Sequence, residues 1–203
     1  NNSSLVAEME NKGIVELTKI PEESKVSGNK AKAQIKVTKE DKLLVDKAQI
    51  SRFLGELKFP LYFLDYESFS KAIPPYDGTR PYQQVVFQYS VHTLESPGAE
   101  LKHSMYLHTE DSNPLEPLTD SLMKVIGPKG SVIAWHKVFE RDRNKEMGSH
   151  SKQFFKFYQG LNDRLVDLKI PFQKDWYATK EFRGGASIKD VLPVLIPDLS
   201  YKD

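Results

Sequence analysis

Residues 61–67, Leu-Tyr-Phe-Leu-Asp-Tyr-Glu, constrain this chain more than any other stretch. Aliphatic and aromatic residues run straight into two acids spaced i, i+2, the pattern of a buried β-strand whose end carries charge. Side chains alternate across a strand, so Asp65 and Glu67 point to the same side. Burying one carboxylate is costly, and a second beside it adds like-charge repulsion. A divalent magnesium or manganese ion accepts oxygen ligands and removes both penalties. The plainer account is a strand that ends here with its acids in water. D-x-E is a common tripeptide, and these residues alone leave both readings open.

The 203 residues suffice for one good-sized domain with an arm. Formal net charge is +1, so a polyanionic partner has to be met by local patches. Cysteine is absent, which excludes disulfides and thiolate metal sites and fits a reducing interior. No apolar run approaches membrane-spanning length, and no signal-peptide pattern opens the chain. The expectation is a cytoplasmic protein with no membrane partner. The sequence begins without Met and stops after Leu-Ser-Tyr-Lys-Asp, as a piece of a longer protein would.

Composition divides the chain at about residue 46. Residues 1–46 are rich in Lys, Glu, Ser and Asn, with Lys25, Lys30, Lys32, Lys36, Lys39 and Lys42 in one stretch. They read as a charged N-terminal arm or linker, or as a nucleic-acid arm. Segments 14–17 and 33–37 are candidates for edge strands or for lying along the core. Residues 47–203 read as the globular domain. A short helix through Ile50, Phe53 and Leu57 leads into the first strand. Strands are expected near 83–93 and 101–108, joined by a turn at Glu95-Ser96-Pro97-Gly98. A helix through Leu115, Leu118, Leu122 and Ile126 precedes a short buried strand at 131–135. Strands alternating with helices predict an α/β sheet.

Three places near these strands invite a functional reading. The loop Ile73-Pro74-Pro75-Tyr76-Asp77-Gly78-Thr79-Arg80-Pro81-Tyr82 starts beside the acid pair. Tyr76, Arg80 and Tyr82 there suit base stacking or phosphate contact, or a self-packed loop. After strand 131–135, His136 to Arg143 reads as a helix start that puts Glu140 one turn in. Glu140 is a metal ligand or an acid favoured by the helix dipole. His136 contacts substrate, caps the helix or fills the strand end. Farther on, 165–168 is a short strand, and Gly184-Gly185-Ala186-Ser187 turns into a helix with Ser187 as N-cap. Lys189 near that helix start meets a phosphate or simply water.

Segments L-Y-F-L-D-Y-E with I-P-P-Y-D-G-T-R-P-Y, V-I-A-W-H-K-V-F-E, and N-D-R-L-V-D-L with R-G-G-A-S-I-K-D-V-L-P resemble a bacterial family, domain of unknown function 2779. That family looks like a branch of the DEDD exonucleases of the ribonuclease H-like superfamily. The resemblance covers about residues 50–203. It implies a ribonuclease H-like mixed sheet with helices on both faces, preceded by the charged arm. It implies a metal-dependent 3′-5′ exonuclease acting on DNA or RNA through two Mg2+ or Mn2+ ions. Asp65, Glu67 and Glu140 are then the metal-binding and catalytic acids, with Tyr76, Arg80, Tyr82, His136 and Lys189 on the substrate. The pattern departs in three ways. Glu140 stands where Asp is usual, and His136 where Asn is. The segment bearing the fourth acid in similar sequences lies beyond Asp203, which implies a domain without its C-terminal helix. Asp167, Asp190 and Asp203 are the remaining candidates for that acid. Relatives often carry an upstream nuclease-like module in the same polypeptide. The alternative is a catalytically inactive nuclease-like fold that binds nucleic acid or protein.

Overall fold

The computed structural model describes residues 2–199. The chain forms two compact units, one from residues 1–55 with 169–203 and one from residues 56–168. The first unit begins with α1 (Ser3–Asn11), α2 (Asn29–Glu40), β1 (Leu44–Val45) and α3 (Lys47–Gly55). The second holds β2 (Leu61–Phe69), β3 (Val85–Leu94), β4 (Lys102–Leu107), α4 (Leu115–Val125), β5 (Ser131–Ala134), α5 (Val138–Gly148), α6 (Lys152–Asn162) and β6 (Leu165–Asp167). The first unit is completed by α7 (Ile170–Gln173), β7 (Tyr177–Ala178) and α8 (Ile188–Leu195).

The second unit is built on a five-stranded sheet in the order β4-β3-β2-β5-β6. β2, β3 and β4 run antiparallel, while β5 and β6 lie parallel to β2. β3, β4 and β5 lie close to the spans expected from the sequence. A tight turn with Gly98 at φ 77° joins β3 to β4. Parallel strands need a crossover, and α4 supplies it before β5, as α5 and α6 do before β6. Tyr62, Leu64 and Tyr66 on β2 enter one core with Leu118 and Leu122 of α4, Met147 of α5, and Phe154, Tyr158 and Leu161 of α6. The three helices of this unit thus pack against the same side of β2. Helices on both faces, which the family resemblance implies, are not found within this unit. The reason lies in β2 itself: its alternate row is Phe63, Asp65, Glu67 and Phe69, and neither acid is buried.

Two devices fix how the helices and β5 meet β2. Gly130 sits at φ 90°, and a Cβ there would lie 2.1 Å from the Pro60 carbonyl oxygen, so only glycine allows this approach. Next to it, the Ser131 N–H donates to the carbonyls of Lys58 and Pro60, starting β5 in register with Leu61. The second device is a buried polar chain. Tyr66 Oη donates to Asn144 Oδ1 at 2.8 Å, Asn144 Nδ2 donates to Asn162 Oδ1 at 2.9 Å, and Asn162 Nδ2 donates to the Arg141 carbonyl at 3.2 Å. It ties β2, α5 and α6 together, with Asn144 0% exposed.

In the first unit, residues 2–46 form α1, α2 and β1 and group with the C-terminal segment, and the chain divides after residue 55. Segment 33–37 is helical, not an edge strand, because Ala33 and Val37 are spaced i, i+4 and Val37 is buried on the inner side of α2. Segment 14–17 is not strand either, and a 3-10 turn begins at Leu17. Lys30 pairs with Asp175 at 2.8 Å, Gln34 accepts from the Gly184 N–H at 2.7 Å, and β1 pairs with β7.

The polar chain makes a measurable claim. Removing Asn144 leaves the Tyr66 hydroxyl buried without a partner, so Asn144→Ala is expected to destabilise the protein by about 2 kcal/mol. Urea unfolding of the two proteins checks this, and an unchanged midpoint would show that the chain contributes nothing.

Candidate active site

The candidate site gathers where β2, β5 and β6 lie side by side. Asp65 and Glu67 project from one face of β2, opposite the buried Tyr66. A register shift between Glu67 and Ser68 follows them, where Phe87 of β3 is passed over in the pairing while β2 itself runs on unbroken. The Asp65 carboxyl is pushed above its ordinary range, first by desolvation and then by repulsion from Glu67, against a lowering hydrogen bond from the Tyr66 backbone.

Glu140 reaches the same region from the first turn of α5. β5 ends at Ala134, and the chain turns through His136, whose φ of 66° is left-handed. That conformation costs a non-glycine residue roughly 1–2 kcal/mol and persists because it is held. The His136 N–H donates to Asp167 Oδ1 at 2.9 Å, and Lys137 Nζ donates to the Leu165 carbonyl at 3.2 Å. Both acceptors lie on β6, whose Asp167 is the register partner of Ala134. Glu140 emerges 4% exposed, with Oε2 lacking any hydrogen-bond partner. Its pKa is raised to about 7, mainly by desolvation, with repulsion from Asp65 and Asp167 adding to it and a backbone hydrogen bond opposing it. Glu140 is therefore within electrostatic reach of Asp65 and Asp167, and Asp65 of Glu67.

Asp167 is the residue that sequence reasoning undervalued, as one of three substitutes for a missing acid. The signal was present in the expected strand 165–168, whose pairing beside 131–135 carries its last acid to the turn before α5. Asp190 has another task. Its carboxylate accepts from the Ser187 N–H and Oγ at 3.2 and 2.7 Å, forming a capping box on α8. Asp203 lies outside the described residues.

The expected substrate residues differ in their surroundings. Arg80 Nη2 donates to Glu146 Oε1 at 2.6 Å. Glu146 is six residues along α5 from Glu140, about 9 Å at the helical rise. Arg143 Nη2 stands 3.0 Å from Glu146 Oε2, an ion pair outside hydrogen-bond geometry, since that oxygen has no hydrogen-bond partner. The Tyr76 carbonyl accepts from Thr79 N and Oγ1, so the loop closes on itself. Tyr82 is 72% exposed at φ 58°, and its N–H donates to the Lys71 carbonyl. The loop is self-packed, and Arg80 docks it to the last turns of α5. His136 is exposed at the site, whereas Lys189 is exposed on α8 in the other unit.

All four acids offer hard oxygen donors, and the unpartnered Glu140 oxygen is what a divalent cation would satisfy. Among the described residues, no three His, Cys, Asp or Glu side chains form a group that could hold a metal ion as they stand. The fit is one of donor chemistry and burial rather than of finished geometry.

The family model Domain of unknown function (DUF2779) matches residues 62–187, a span that includes all four acids. The chain is also 26% identical over 151 residues to the Uncharacterized protein MG366 homolog of Mycoplasma pneumoniae (strain ATCC 29342 / M129 / Subtype 1). That alignment covers 69% of this chain and 23% of the relative, so the chain spans about a quarter of that protein's length. No solved structure matches. Among the described residues, no helix is long and apolar enough to cross a membrane.

The raised Glu140 pKa fixes the sign of a pH effect in metal-free buffer. Between the ordinary value of 4.5 and the raised value of about 7, the folded state holds a proton that the unfolded state has lost. Stability therefore falls as pH rises through that window. Glu140→Gln is expected to flatten the fall. Denaturant unfolding in EDTA across this range tests it, and parallel curves for the two proteins would remove Glu140 as the titrating group.

Proposed function

Because the chain belongs to the DUF2779 family, a description silent on chemistry, we propose from the site itself that it is a metal-dependent phosphodiester hydrolase. The proposed reaction is 3′-5′ exonuclease-like and acts on DNA or RNA. The observation that carries this reading is Glu140: a buried carboxylate with an unpartnered oxygen, beside Asp65 and Asp167. Such a cluster is a cost to folding unless it serves a cation. The strand order β4-β3-β2-β5-β6, with β2 between an antiparallel and a parallel neighbour, supports a ribonuclease H-like fold.

Asp65, Glu67 and Glu140 are the residues that would hold Mg2+ or Mn2+. The bound ions would polarise the phosphoryl oxygens and lower the pKa of a water. The chain's own residues have separable tasks. Asp65, the acid with both Glu67 and Glu140 as electrostatic neighbours, anchors the set. Glu140 near neutral pH is poised to release its proton when a cation arrives, so cation binding is linked to proton release. Asp167 is a positioning residue: by fixing the His136 backbone it sets where α5 starts and hence where Glu140 points. It is also the strongest of the three candidates for a fourth acid.

The second reading, an inactive nuclease-like fold that binds nucleic acid or protein, draws on one observation. Among the described residues, no three acids form a group that could hold a metal ion as they stand. A manganese-dependent assay on labelled single- and double-stranded DNA and RNA separates the two. Asp65→Asn is expected to bring hydrolysis below detection while leaving the melting temperature equal or higher, because it relieves carboxylate repulsion. Retained hydrolysis with a lowered melting temperature would make Asp65 structural and end the catalytic reading.

A further inference from the structure

The face of the sheet that carries Asp65 and Glu67 also carries an unusual set of neighbours. In β2 the same row reads Phe63, Asp65, Glu67, Phe69, so an aromatic ring stands on each side of the acid pair. Phe63 is in register with His92 on β3, and His92 with His103 on β4. The two imidazoles stack face to face, with centroids 4.3 Å apart and planes 15° from parallel. His103 Nε2 and Ser90 Oγ are hydrogen-bonded at 3.0 Å, and Ser90 is the register partner of Asp65. Met105 and Leu107 continue the row on β4 at 56% and 46% exposure. At the other end, Phe69 and Phe87 lie 5.9 Å apart, and the Lys71 ammonium stands 5.4 Å from the Phe69 ring.

Stacked rings and exposed apolar side chains on a sheet are a liability unless something covers them. The cover has to suit π-faces and thioether on both sides of a carboxylate pair, with a cation at one edge. Unpaired nucleotides meet those conditions. Their bases present flat π-faces, and their phosphates meet Lys71 at one edge and the acids, through a cation, at the centre. A duplex does not, because its base faces are already stacked on one another.

We infer that the β2-β3-β4 face is a base-stacking platform for an unpaired nucleic-acid strand, with the His92–His103 pair as one stacking station and Phe69–Phe87 as the other. This rests on the reading of the acids as a phosphodiester site, which it deepens by naming the strand state of the substrate. It also assigns a role to two histidines that the acid site does not use.

The experiment measures binding and cleavage separately on the full chain. Fluorescence anisotropy in calcium, a cation that carboxylate and phosphate oxygens both accept, follows a labelled oligothymidylate, an oligouridylate and a blunt duplex. The platform predicts that both single strands bind more tightly than the duplex. His92→Ala combined with His103→Ala should weaken single-strand binding by about tenfold, the loss of roughly one stacked base. His103→Phe, which keeps a ring at that place, should retain it, and circular dichroism confirms that each variant is folded. No single-strand binding by the parent chain, equal binding of the duplex, or full binding by the double alanine variant each overturns the platform. Manganese-dependent cleavage is read independently. Histidine-dependent binding without cleavage would remove the catalytic reading and leave the platform standing. Cleavage indifferent to the histidines would do the reverse.

Discussion

The hydrogen bond from the His136 N–H to Asp167 holds the arrangement on which the rest depends. It joins the ends of two parallel strands to the start of a helix. Without it, His136 would have little reason to stay in a left-handed conformation. The turn would then be free to deliver α5 at another angle, and Glu140 would lose its place beside Asp65. A carboxylate usually regarded as a candidate ligand is here first a backbone anchor. That its charge also raises the Glu140 pKa shows the cost of using an acid for the task.

Much of the sheet was legible in the residues, for identifiable reasons. The alternation in Leu61 to Glu67 gave β2 and the common side of its two acids. The turn at Gly98 gave the β3-β4 pair, and Ser187 announced α8. Asp190, three residues later, completed a capping box that was visible as a spacing but read as a spare acid. Residues 14–17 and 33–37 stayed open between edge strand and core packing because short apolar runs fit both periods. In α2 the i, i+4 spacing of Ala33 and Val37 decided for helix. The joining of residues 1–55 to 169–203 depends on contacts far apart in sequence, such as Lys30 with Asp175, and no local pattern predicts those.

The site was legible in part. The type of residue at 65, 67 and 140 was enough to suggest chemistry, but not their burial. Asp65 and Glu67 stay largely exposed while Glu140 is nearly sealed. The Arg80 guanidinium looked suited to a phosphate in sequence because its loop starts beside β2. Three-dimensional proximity to Glu146, a residue two turns along α5 from the acid of interest, engaged it elsewhere. A cross-strand histidine pair, separated by eleven positions in the chain, has no periodic signature at all.

Gly130 shows how a site can depend on a position where no chemistry occurs. The parallel ladder between β2 and β5 has three pairs, Leu61 with Ser131, Tyr62 with Val132 and Phe63 with Ile133. So short a ladder holds its alignment weakly, and a slip of one residue would turn each β5 side chain to the opposite face. The bare Cα of Gly130 against Pro60 acts as a detent that only one alignment satisfies. Any side chain there would push β5 along its axis and carry the His136 turn with it. The effect of such a change would surface at Glu140, ten residues away, as an acid displaced from its neighbours. A glycine that touches no carboxylate thus helps decide where the acids meet.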